Sequence, residues 1–171
     1  MKGTRIINTS KAKGVFEDVY VSGTPVPGTC MELKPSTAAI AGVFTYQPAG
    51  TEAASSGNYM SADGDKKCIA VLLERDQDAG IYSDAYVSGE MGRIYYPVAG
   101  EKMNMAIGDQ SGTDDDYIIG TELMIDNSTD IGKLMPADSD AEVHPFTCLE
   151  TSTDTAADFV AWCRYNGSGG A

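Results

Sequence analysis

The chain has 171 residues, enough for one domain of ordinary size with its own core and no need of a metal or disulfide staple. It carries 25 acidic and 12 basic residues, a formal charge of -13, and a surface of that sign repels phosphate backbones, which argues against nucleic-acid binding by the body. No run of 18 apolar residues occurs and the first residues lack the apolar stretch of a secretory signal, so neither a membrane span nor Sec export is expected, and synthesis is expected to end in a cytoplasm.

The charge is uneven from the start. Residues 1–13 hold Lys2, Arg5, Lys11 and Lys13 and no acid; subtracting that +4 from -13 leaves -17 for the remainder. A basic arm (1–14) leading an acidic body (15–165) suggests a separate, acidic partner for the arm. The last residues, 166–171, form a flexible Gly/Ser tail.

Along the body the recurrent pattern is alternation rather than a helical period, which predicts strands. They are expected at 4–9, 15–22, 29–33, 41–47, 67–74, 92–98, 101–107, 117–126, 143–150 and 158–165. Glycines, 19 in all, with abundant Ser, Thr, Asp and Asn supply the turns. Segments 48–66 and 108–116 are small, polar and aperiodic and read as long loops. Short strands separated in this way predict an all-β fold: a compact antiparallel β-sandwich or barrel with long loops and an extended N-terminal arm. Within it, 92–98 and 101–107 are expected to form a hairpin about Ala99-Gly100. Ile94, Tyr96 and Val98 would face inward with Met103, Met105 and Ile107, leaving Arg93 and Tyr95 outward.

Catalytic and metal chemistry find little support. His144 is the single histidine, it precedes Pro145 at a strand start, and no G-x-S-x-G elbow accompanies it. The four cysteines, Cys30, Cys68, Cys148 and Cys163, make no C-x-x-C pair and read as small buried residues, although Cys148 and Cys163 lie on consecutive strands. The acid-rich segment "DNSTDIG" at 126–132 comes nearest to a calcium loop but lacks the third-position acid or amide. No metal and no cofactor is expected. Paired carboxylates for a carbohydrate-acting domain remain as an alternative, defined in space rather than in sequence. Contact chemistry is better represented. Tyr82, Tyr86, Arg93, Tyr95 and Tyr96 fall close together, and tyrosine and arginine are enriched where proteins bury surface against each other.

The order of short motifs carries a resemblance. "PGT" at 27–29 and "MEL" at 31–33 are followed by "LLERD" at 72–76, "DAYVSGE" at 84–90, "GD" at 108–109 and "GKL" at 132–134. This order resembles the small capsid decoration, or cement, proteins of tailed bacteriophages over residues 27–134. The long insertion at 48–66 and the strands within 143–165 depart from the family pattern. The resemblance implies a β-rich module on the exterior of a virion, made in the host cytoplasm. Such a module binds the major capsid protein, bridges capsid subunits and stabilises the DNA-filled shell. It would associate with itself, as a homotrimer or else a dimer, without catalyst, cofactor, nucleic acid or membrane. The residues expected at partner contacts are Lys2, Arg5, Lys11 and Lys13 in the arm and Asp84, Tyr86, Arg93 and Tyr95 in the body. Another virion component, a head-tail connector or tail-ring protein, is the second expectation.

Overall fold

A computed structural model of the chain describes residues 12–34, 39–50, 70–74, 84–108, 117–126, 129–137, 144–151 and 159–167. These residues contain ten strands and no helix. The strands are β1 (Val15–Val21), β2 (Cys30–Leu33), β3 (Thr45–Pro48), β4 (Ala70–Leu72), β5 (Met91–Tyr96), β6 (Lys102–Ile107), β7 (Glu122–Ile125), β8 (Leu134–Pro136), β9 (Phe146–Cys148) and β10 (Phe159–Tyr165). The fold is all-β, as the alternation implies. Strand β8 is the one that alternation does not announce, and the expected strand at 4–9 lies outside the described residues.

The strands close into two five-stranded barrels, in the orders β1-β3-β2-β4-β5 and β10-β6-β8-β7-β9. The first closes through the long antiparallel β1–β5 pairing, from Val15 opposite Tyr96 to Tyr20 opposite Met91. The second closes where β10 meets β9, with Cys163 opposite Cys148. Two pairs are parallel, β1 with β3 and β6 with β8, and in both a crossover separates the paired strands. Among the described residues, closure leaves neither sheet with an unpaired edge strand.

The expected hairpin at 92–107 does not form. Strand β5 pairs with β1 and β4, whereas β6 pairs with β10 and β8, so the two belong to different barrels. Pro97 cannot donate to a ladder, and β5 stops at Tyr96. A turn in which Glu101 N–H donates to Val98 O (3.0 Å) then carries the chain across to the second barrel. There the turn joins β10: Gly100 N–H donates to Tyr165 O (2.7 Å) and Tyr165 N–H to Glu101 O (2.8 Å). Val98, expected inside, consequently sits exposed at the crossover.

Side-chain alternation in the first barrel buries the inner face and part of the outer one. Val19, Val21, Met31, Tyr46, Ala70, Leu72, Tyr86 and Ile94 pack together as one cluster. The opposite faces of β2, β4 and β5 present Cys30, Val71 and Tyr95 to the residues of the second barrel, including Met103, Met105, Leu134 and Cys163. The body is therefore two barrels sharing a continuous apolar seam. Two backbone hydrogen bonds fasten that seam: Cys30 N–H to Gly132 O (2.8 Å) and Ala106 N–H to Gly28 O (3.1 Å).

Gly132 shows how tight the seam is. Its φ of 84° lies in the left-handed region, and a Cβ there would stand 2.7 Å from Thr29 Cγ2, 2.8 Å from Cys30 O and 3.0 Å from Pro48 Cβ. Replacing it with alanine combines backbone strain with overpacking, and Gly132→Ala is expected to cost about 3 kcal/mol. Gly100→Ala, at a similar φ but facing open space, should cost about 1 kcal/mol. Urea unfolding of the two variants measures the difference.

Candidate functional site

The segment "DAYVSGEMG", 84–92, is built around Tyr86. Its ring is buried inside the first barrel, its hydroxyl donates to Leu73 O (2.9 Å) and its backbone N–H donates to Pro25 O (2.8 Å). Gly92 makes the space: a Cβ there would lie 2.8 Å from Val21 Cγ2 and 3.1 Å from Tyr86 Cε1. The Glu90 carboxylate closes the intervening turn by accepting Val87 N–H (2.8 Å). Tyr86 was expected at a partner contact; instead it plugs the barrel, because an aromatic of this size fills an interior that short strands leave open. Asp84 beside it is exposed.

Tyr95 is also a correction. The inward side of β5 does hold Ile94, but Tyr95 on the other side is equally buried, since that side faces the second barrel rather than solvent. Its phenol organises the root of the arm. The hydroxyl donates to Glu101 Oε2 (2.5 Å) and accepts the backbone N–H groups of Gly14 (2.6 Å) and Lys13 (3.1 Å). Glu101 in turn accepts Lys13 N–H (2.7 Å) and Val98 N–H (2.7 Å). Burial and the adjacent carboxylate push the Tyr95 hydroxyl up to about 12. For Glu101, burial acts upward, but the hydrogen bonds from Tyr95, Val98 and Lys13 outweigh it and hold the carboxyl below its ordinary value.

Arg93 is where the expectation of an outward side chain meets an exposed residue. Its Nε lies 2.7 Å from Asp18 Oδ1 and its Nη2 3.4 Å from Asp18 Oδ2, a two-point pairing with both side chains about half exposed. The hydrogen bond from Arg93 lowers the Asp18 carboxyl, with burial opposing it slightly. Half-exposed pairs contribute little to stability, but this one holds the guanidinium in a fixed plane.

Along β1 and β5 these residues form one continuous outer strip. Phe16 stands opposite Tyr95 with ring centroids 4.8 Å apart, Asp18 opposite Arg93, and Tyr20 opposite Met91. The strip begins in the seam and runs into solvent, where Phe16 (39%) and Met91 (56%) are exposed. Phe44, whose carbonyl accepts Tyr20 N–H, is also exposed. Lys13 lies at the seam end of the strip. Lys2, Arg5 and Lys11, like Tyr82, Cys68 and residues 51–66 of the expected loop 48–66, lie outside the described residues. Phe16, Asp18 and Met91 escaped the sequence reading because only pairing with β5 shows that they share its outer face.

Elsewhere, His144 Nε2 is 3.5 Å from Glu122 Oε2 at the β7–β9 edge. In the β7–β8 turn, Asp126 accepts Asp130 N–H (3.0 Å) and Asp130 pairs with Lys133 (2.7 Å), so both carboxylates serve the turn. The chain matches no protein-family model and no curated protein.

Tyr86→Phe removes the donor to Leu73 O and is expected to cost about 1–2 kcal/mol, and Tyr86→Ala, which empties the barrel, about 4 kcal/mol, both read by chemical denaturation. Glu101 also predicts a pH dependence. A carboxyl held low by folding adds stability above its ordinary value of 4.5 and loses that contribution as pH falls through the depressed folded value. Wild type should therefore lose more stability than Glu101→Gln when unfolding is compared at neutral pH and well below that value.

Proposed function

We propose that this chain is a virion structural protein that binds the outer surface of a tailed-phage head, bridges capsid subunits and stabilises the DNA-filled shell. The observation that carries the reading is the convergence of the basic arm with the exposed strip. The arm is latched by Tyr95 and Glu101 at one end of the strip, and Phe16, the Asp18–Arg93 pair and Met91 continue from that point. An arm and a face that start together can engage two neighbouring sites on a shell at once. The ordered motifs at 27–134 support the same class.

The physics suits a many-copy coat. Each contact of modest area gains from repetition over a symmetric surface when copies associate with one another, here as a homotrimer. A protein that binds the assembled shell and not its disrupted forms stabilises it by mass action. The acidic body repels free DNA and keeps decorated particles apart. The function is scaffolding by contact rather than catalysis.

The test is binding to purified heads stripped of the protein. Removing residues 1–11 should lower occupancy while leaving the unfolding midpoint of the body unchanged. Phe16→Ser or Arg93→Glu should weaken binding about tenfold or more, the loss typical of an interface anchor. Wild-type occupancy by all three variants would overturn the assignment of this surface. Electron microscopy of bound particles distinguishes copies spread over the shell from copies at one vertex, and the second result would favour a connector or tail-ring role.

A further inference from the structure

We infer that Cys148 and Cys163 are a built redox site: a cross-strand thiol pair that closes into a disulfide joining β9 to β10. Position carries the inference. The two residues stand directly opposite each other in the antiparallel β9–β10 ladder. Hydrogen-bonded and non-hydrogen-bonded pairs alternate along such a ladder. Leu149 N–H donates to Trp162 O (2.8 Å) and Asn166 N–H donates to Pro145 O (2.8 Å), so 149/162 and 145/166 are the hydrogen-bonded positions. Cys148/Cys163, one step in from the first and three from the second, is a non-hydrogen-bonded pair. There the Cα atoms approach to about 4.5 Å with side chains on one face, inside the roughly 4.4–6.8 Å that a disulfide spans.

Both side chains are buried on the inner face of the second barrel and both are free thiols. Cys148 Sγ donates to Glu150 O (3.0 Å) and Cys163 Sγ is 3.5 Å from Ala161 O. The pair is electrostatically divided. A hydrogen bond from Cys163 lowers the Cys148 thiol to about 7 against the opposing effects of burial and the Glu150 carboxylate. The same interaction, with burial, pushes Cys163 well up. The interaction thus drives the two thiols in opposite directions, with Cys148 the readier to ionise, the division that thiol–disulfide exchange uses. Cys30, in the same cluster, is driven up by burial and stays protonated.

The oxidant is a low-molecular-weight disulfide. The Cys148 thiolate attacks one of its sulfurs, forming a mixed disulfide and releasing one small thiolate. Cys163 then loses its proton and attacks the Cys148 sulfur, closing the intraprotein bond and releasing the second small thiol. The protein dithiol is oxidised by two electrons and the reagent disulfide is reduced to two thiols. Access comes through local opening of β9, which has only three residues.

The experiment treats the full folded chain with oxidised glutathione until its mass stops changing, then alkylates free thiols and maps peptides without reduction. Before alkylation the expected product is lighter by about 2 Da; after alkylation in denaturant, Cys148 is linked to Cys163 and Cys30 and Cys68 carry the label. The oxidised protein should melt about 5–10 °C above the reduced one, the gain for closing a loop of roughly 15 residues in a chain of this size. Cys163→Ser should abolish that gain; if this variant does not fold, the wild-type peptide map decides. Four alkylated cysteines, a lasting glutathione adduct, or a linkage through Cys30 or Cys68 would overturn the proposal.

Discussion

The structure depends on burying both faces of one side of the first barrel. A closed barrel needs its inner face covered, which Val19, Leu72, Ile94 and the Tyr86 plug accomplish. Here β2, β4 and β5 also bury part of their outer face, with Cys30, Val71 and Tyr95 against the second barrel. Backbone groups at such a seam lose water and must find each other, and the bonds from Cys30 to Gly132 and from Ala106 to Gly28 answer that need. The absence of a side chain at Gly132 sets how closely the barrels approach.

Several sequence fragments far apart in the chain meet at this seam. "PGT" contributes Gly28 and Thr29, "MEL" follows from Cys30 as strand β2, and "GKL" contributes Gly132 and Leu134. Long-range backbone hydrogen bonds, not nearness in the chain, bring them together. "DAYVSGE" has a different role: it seals the inside of the first barrel. Motifs that looked like contact chemistry are, in these cases, the chemistry of contact within the monomer.

What the seam leaves uncovered is equally defined. On β1 and β5 the outer face passes from buried Tyr95 to the half-exposed Asp18–Arg93 pair and then to exposed Met91. The latch of Tyr95 and Glu101 holds Lys13 and Gly14 at the start of that strip. One tyrosine thereby joins the core, the crossover turn and the arm. Interior packing and the proposed contact surface are therefore coupled through a single side chain.

Alternation in the sequence determined the all-β class and nine of the ten strands among the described residues to within a few residues, because a period of two follows from strand geometry alone. The charge division between leader and body was equally legible, since it needs no fold. Strand β8, Leu134–Pro136, was not among the segments that alternation marked. Pairing was not legible: β5 and β6 look like a hairpin locally, yet Pro97 and the Val98–Glu101 turn send them to different barrels. Nor was the fate of Tyr95 or Tyr86, because alternation tells that two faces differ but not whether water or a second barrel covers one of them. The same holds for Cys148 and Cys163, which the sequence put on successive strands and which only the β9–β10 register set opposite each other. Local periodicity thus decided what each segment is, and long-range hydrogen bonding decided which side chains meet.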